Sequence, residues 1–132
     1  MSFDVILICL KNGTPDAFPS TIVRQALDRF ISFRDGRFCK LSFPDGGGGE
    51  MFTDQEEETD GVMISSASGH QIYDALYEIL RQTHSVLFWS FGGCVIADES
   101  VVADCAEDMI ESLGQPILVH SGAEIAAAIE ST

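Results

Sequence analysis

Positive charge is scarce in this chain and almost confined to its beginning. Six of the seven Lys and Arg residues lie in residues 1–40, and only Arg81 lies after them. Residues 1–40 carry four acids against those six bases, whereas residues 41–132 carry seventeen acids against one base, and the formal net charge is −14. Phosphate contacts require clustered Lys and Arg, so the sequence argues against nucleic acid as a partner. Long apolar runs are also missing. Phe3 to Leu10 is about eight residues long, interrupted by Asp4 and without a basic leader, too short for a secretory signal or a membrane span of roughly 18 residues. The expectation is a soluble, cytoplasmic protein with no membrane partner. Cys9, Cys39, Cys94 and Cys105 form no C-x-x-C pair, which argues against a zinc site or a disulfide scaffold and for reduced, buried thiols.

What is present is the composition of one globular domain over residues 1–132, 45% apolar with short Gly and Pro punctuation. Phe3–Leu10 is apolar on both alternating faces, as a central strand covered on both sides requires. Asn12-Gly13-Thr14-Pro15 ends it. Ser20 opens a helix with Ile22, Val23, Ala26, Leu27 and Phe30 on one stripe, closing near Arg34-Asp35-Gly36. Residues 37–43 and 50–53 read as a hairpin around Pro44-Asp45-Gly46-Gly47-Gly48-Gly49, placed at the sheet boundary, and residues 61–65 resume the sheet.

Ser68-Gly69-His70-Gln71 has capping-box spacing and opens a helix over 69–83. Residues 85–91 and 94–97 are strands joined by Gly92-Gly93. Asp98 or Ser100 caps a helix running to Leu113, which Gly114 and Pro116 stop. Ile117–Val119 is a short strand, and Ser121-Gly122-Ala123-Glu124 is a second capping box that opens a terminal helix. The expected order is β-α-β-β-β-α-β-β-α-β-α, an α+β chain with one mixed sheet, an antiparallel meander and about four helices on it.

No catalytic motif stands out. The glycine string lacks an adjacent Lys or Arg and is flanked by Asp45 and Glu50, so it reads as a tip whose glycines take positive φ or let backbone come close, rather than as a phosphate loop. Asp45, Glu50, Asp54, Glu56, Glu57, Glu58 and Asp60 put seven carboxylates into sixteen positions. Their spacing matches no EF-hand, so no metal and no cofactor is expected. They read as a solvated face or as a surface for a basic partner, with Met51 and Phe52 as apolar anchors if exposed. Asp98, Glu99, Asp104, Glu107, Asp108 and Glu111 supply a second acidic segment. His120-Ser121 lies at a strand-to-helix turn without a nucleophile elbow.

Phe43 to Glu50, together with the run Val101 through Asp108-Met109-Ile110-Glu111-Ser112-Leu113-Gly114 to Ser121-Gly122-Ala123-Glu124-Ile125, resembles a group of small, acidic bacterial cytoplasmic proteins of no assigned chemistry. In size, acidity and lack of a catalytic signature the chain is also similar to immunity proteins that neutralise bacterial toxin domains. That similarity is one of type, so it carries over no residue. It implies a non-enzymatic inhibitory module that covers a basic active-site cleft, and the residue pattern itself offers Asp45, Glu50, Met51, Phe52, Asp54, Glu56, Glu57, Glu58 and Asp60 as the covering surface. The alternatives are a small metal-dependent or hydrolytic enzyme using His120, Ser121 or the carboxylates, and an adaptor in a bacterial complex. Oligomeric state is open.

Overall fold

The computed structural model describes residues 3–53, 56–89 and 92–131. In chain order these residues form β1 (Val5–Lys11), β2 (Thr14–Pro15), β3 (Phe18–Pro19), α1 (Thr21–Leu27), β4 (Ile31–Asp35), β5 (Phe38–Ser42), β6 (Gly48–Phe52), β7 (Glu58–Thr59) and β8 (Gly61–Ser68). Then follow α2 (Gln71–Leu80), β9 (Ser85–Trp89), β10 (Cys94–Ile96), α3 (Glu107–Leu113), β11 (Ile117–Leu118) and α4 (Gly122–Glu130), with 3-10 segments at Asp28–Phe30 and Glu99–Asp104. The fold is mixed α+β, as the sequence implied: one large sheet in the order β11-β10-β9-β1-β8-β6-β5-β4, with β2 turned back on β1, and a small β3-β7 pair. Its pairings are antiparallel except for β10 with β11. No described helix is long and apolar enough to cross a membrane.

The period of two along each strand decides which residues meet the helices. Val5, Leu7 and Cys9 of β1, Cys39 and Leu41 of β5, Met51 of β6, Ile64 of β8 and Leu87 and Trp89 of β9 share one face and are all buried under α1, α2 and α4. The alternate residues face the other way. At the β9–β10 end, Leu10, Val86, Cys94 and Ile96 are buried with Val101, and Cys105, Met109 and Leu113 pack on them from the 99–113 segment. At the β8–β6–β5–β4 end nothing described covers the sheet, and Met63, Phe52 and Phe33 are exposed there.

Several expected boundaries move. The first helix stops at Leu27, because Ile31–Asp35 is taken into the sheet as the strand next to β5, around a turn at Gly36 with φ +60°. The edge is therefore β4, and the hairpin at 37–53 lies one strand inside it. Asn12 and Gly13, with φ of 52° and 79°, make a two-residue hairpin turn that brings β2 back onto β1. The expected helix over 98–113 breaks at Asp104: its carbonyl accepts from Gly13 N and its carboxylate from Asn12 N, so the chain is tied to the β1–β2 turn instead of continuing the helix.

The start of α2 is capped from a distance. Ser68 stays in β8, where its Oγ accepts from Gly48 N, and Gly69 with φ +82° turns the chain away. Asp45 takes over. Its Oδ2 accepts from His70 N and Gln71 N at 2.9 Å each, and its Oδ1 accepts from Gly47 N at 2.9 Å. Gln71 reaches back as its spacing implied, but its Oε1 accepts from Asp45 N at 3.1 Å. A Cβ on Gly47 would stand 2.3 Å from Ser68 O, so this junction requires glycine for close approach. At α4 the Ser121 cap holds, its Oγ accepting from Glu124 N, while Glu124 Oε1 reaches one residue beyond the N-cap and accepts from His120 N.

Candidate functional site

The acidic segment is held in place by its backbone, leaving its side chains free. Ser20, buried at the start of α1, donates its Oγ–H to the carbonyls of Glu56 (2.7 Å) and Glu57 (3.0 Å), and Ser20 N donates to Glu57 O. Arg24 Nη2 donates to Glu56 O at 3.2 Å. Glu58 and Thr59 pair with Pro19 and Phe18, and Asp60 O accepts from Cys9 N. The carboxylates of Glu56, Glu57, Glu58 and Asp60 are exposed, displayed from a fixed backbone.

Beside them the sheet splits. β6 stays with β5 through the Phe38–Phe52 pair, and Thr53 N donates to Arg37 O, but its pairing with β8 ends at Met51–Ile64. Val62 and Met63 pair with β1 and not with β6. The gap between the diverging strands forms a cavity of about 280 Å³ whose lining includes Ile6, Val23, Arg24, Phe52, Asp60 and Met63. Phe52 is 71% exposed and Met63 49% exposed. Phe52 continues into an aromatic row on the open part of the sheet, with ring centroids 5.4 Å to Phe38 and a further 6.4 Å to Phe33.

The structure therefore brings Phe52 and Asp60 into the lining of one cavity, while Glu56, Glu57 and Glu58 stand on the adjoining segment, tied by its backbone to β3 and α1. Met51 does not join them. At 2% exposure it belongs to the helix-covered core, because it stands one residue from Phe52 and so on the opposite face. Asp45 is at the α2 cap, where the N–H groups of Gln71, then Gly47 and His70, hold its carboxyl below the usual range. Glu50 is half-buried on the open face, directly across from Lys40. Asp54 lies outside the described residues.

Sequence reasoning placed Ser20 as the N-cap of α1, where it stands, but its side chain makes no cap bond and grips the acidic segment instead; Arg24 and Met63 were missed as site residues. The outward position of Met63 was readable from the alternation Val62-Met63-Ile64, whereas the long-range grip of Ser20 and Arg24 on the acidic segment had no local signal.

The second acidic segment is partly consumed by internal contacts. Asp98 Oδ1 accepts from Ser100 N, and Asp104 accepts from Asn12 N and lies 2.6 Å from His84 Nε2. Both carboxyls are held below the usual range, Asp98 by the Ser100 N–H and Asp104 by the Asn12 N–H first and His84 second. Glu99, Glu107, Asp108 and Glu111 remain exposed.

For the enzymatic alternatives, among the described residues no group of three or more His, Cys, Asp or Glu side chains converges as a cation site would need. Each histidine lies within 4 Å of a carboxylate, His70 of Glu130, His84 of Asp104 and His120 of Glu124. Burial pushes the Cys94 thiol up to about 11 and raises those of Cys9 and Cys105, the opposite of what a thiolate nucleophile requires. No family model matches the chain, and no curated protein or solved structure matches it.

Proposed function

We propose that the chain is a protein-binding inhibitory module, of the kind that neutralises a bacterial toxin by covering a basic active-site cleft, acting in the cytoplasm. The observation that carries this reading is that a largely exposed Phe52 and Asp60 line one cavity, and that the segment leading to Asp60 displays the exposed carboxylates of Glu56, Glu57 and Glu58 from a backbone fixed by Ser20 and Arg24. An aromatic anchor with charged groups beside it is how a tight interface divides its work. The ring supplies the desolvated contact, and the charges steer the encounter and reject partners of the same sign. Holding the carboxylates beforehand lowers the ordering cost of binding.

The test is rescue. The product of the adjoining gene is expressed in a sensitive bacterium with and without this chain, and survivors are counted. Rescue supports the inhibitory reading. A harmless neighbour, or killing that persists while this chain is soluble and abundant, overturns it. In a purified complex, replacing Glu56, Glu57 and Glu58 by Lys weakens binding at low salt and flattens its salt dependence, and an unchanged affinity removes this segment from the interface.

A further inference from the structure

The cavity beside Phe52 has the makings of a small-molecule site that is independent of the inhibitory reading. Its walls are mostly apolar, with Ile6 and Ile8 from β1, Val23 from α1, and Val62 and Met63 from β8. At about 280 Å³ it is near the lower end of ligand pockets, large enough for a single ring with a short chain.

A backbone polar feature borders this lining, the unzipped edge of β8. Val62 and Met63 have no strand partner on the β6 side, so that edge presents backbone donors and acceptors toward the gap.

Charge at the mouth selects among apolar ligands. Asp60 is in the lining, and Glu56, Glu57 and Glu58 are exposed on the segment that leads to it. The one cation of the lining, Arg24, already donates to Glu56 O. That bond to a neutral carbonyl leaves the guanidinium charged, but Asp60 in the lining and the three carboxylates of the adjoining segment outnumber it and favour a positive head group. We infer that the cavity binds a small organic cation with an apolar body, of the aryl-alkylamine class, the ring lying between Val23 and Met63 and the ammonium directed to Asp60.

The probe is phenethylamine, titrated into the full chain and followed by amide NMR, with 3-phenylpropionate as the anion of similar size. For about nine heavy atoms a millimolar dissociation constant is the expected range. The inference predicts saturable shifts at Ile6, Arg24, Thr53 and Met63, with the amine bound at least about tenfold more tightly than the acid, the effect of one well-placed opposite charge. Asp60→Asn, on an exposed residue that leaves the fold alone, removes that preference, and Val23→Phe fills the cavity and abolishes the shifts. Absence of saturable shifts with phenethylamine, equal affinity for the two probes, or a preference untouched by Asp60→Asn overturns it. Asp60→Asn keeps the test decisive if Val23→Phe does not fold.

Discussion

The two faces of the sheet are built from alternate residues of the same strands, yet they meet different surroundings. In β5, Cys39 and Leu41 are buried beneath helices while Lys40 between them is exposed; in β6, Met51 is buried and its neighbour Phe52 is the most exposed large apolar side chain described. The 99–113 segment covers the second face over β9 and β10 and leaves it open over β8, β6, β5 and β4. A sheet needs only one buried face to be stable, so the open part is free to keep aromatic groups for other uses.

The sharpest way to break this contrast is truncation on either side of it. Leu87→Ala or Ile64→Ala, both fully buried on the helix-covered face, should each cost about 2–5 kcal/mol in urea unfolding. Phe52→Ala should cost about 0.5 kcal/mol or less, as a surface substitution does. A loss at Phe52 comparable to that at Leu87 would mean that the open part is structural.

A smaller effect is expected at the glycine junction. Gly47→Ala, which drives a Cβ into the Ser68 carbonyl, should lower stability by about 1–3 kcal/mol, and wild-type stability in that variant would show that the β6–β8 contact yields freely.

The Asp45 cap gives a pH-dependent test. Because its folded pKa is depressed, its contribution is fully present above the ordinary carboxylate value and is lost as pH falls toward the lower folded value. Asp45→Asn should therefore lower the melting temperature at pH 7, and the gap to wild type should shrink as the pH is taken below 4. A gap that stays constant would assign the effect to something other than the ionised carboxylate.

What the sequence revealed follows the range of the interactions involved. The central position of β1, the amphipathic α2, the stop at Gly114 and the Ser121–Glu124 cap all rest on neighbours within a few residues, and each is present in the structure. The conversion of Ile31–Asp35 from helix to strand depends on pairing with β5. Its Asp35-Gly36 turn was a local hairpin signal that the apolar stripe before it masked. Asp45 capping α2 across 25 residues, and Ser20 holding the 56–57 backbone, join positions far apart in sequence, so spacing rules could not reach them. For the candidate surface, the charge of Glu56 to Glu58 was plain from composition, whereas the burial of Met51 and the exposure of Phe52 follow only once the register of β6 is fixed.

The survival assay is decisive when run with two charge-matched variants, each first shown to unfold like the wild type. One combines Glu56, Glu57 and Glu58→Lys on the segment held by α1, and the other combines Glu107, Asp108 and Glu111→Lys on α3. Loss of rescue with the first and retention with the second is the result predicted for a partner held at Phe52 and residues 56–60. Full rescue by the first variant, or loss confined to the second, would contradict it.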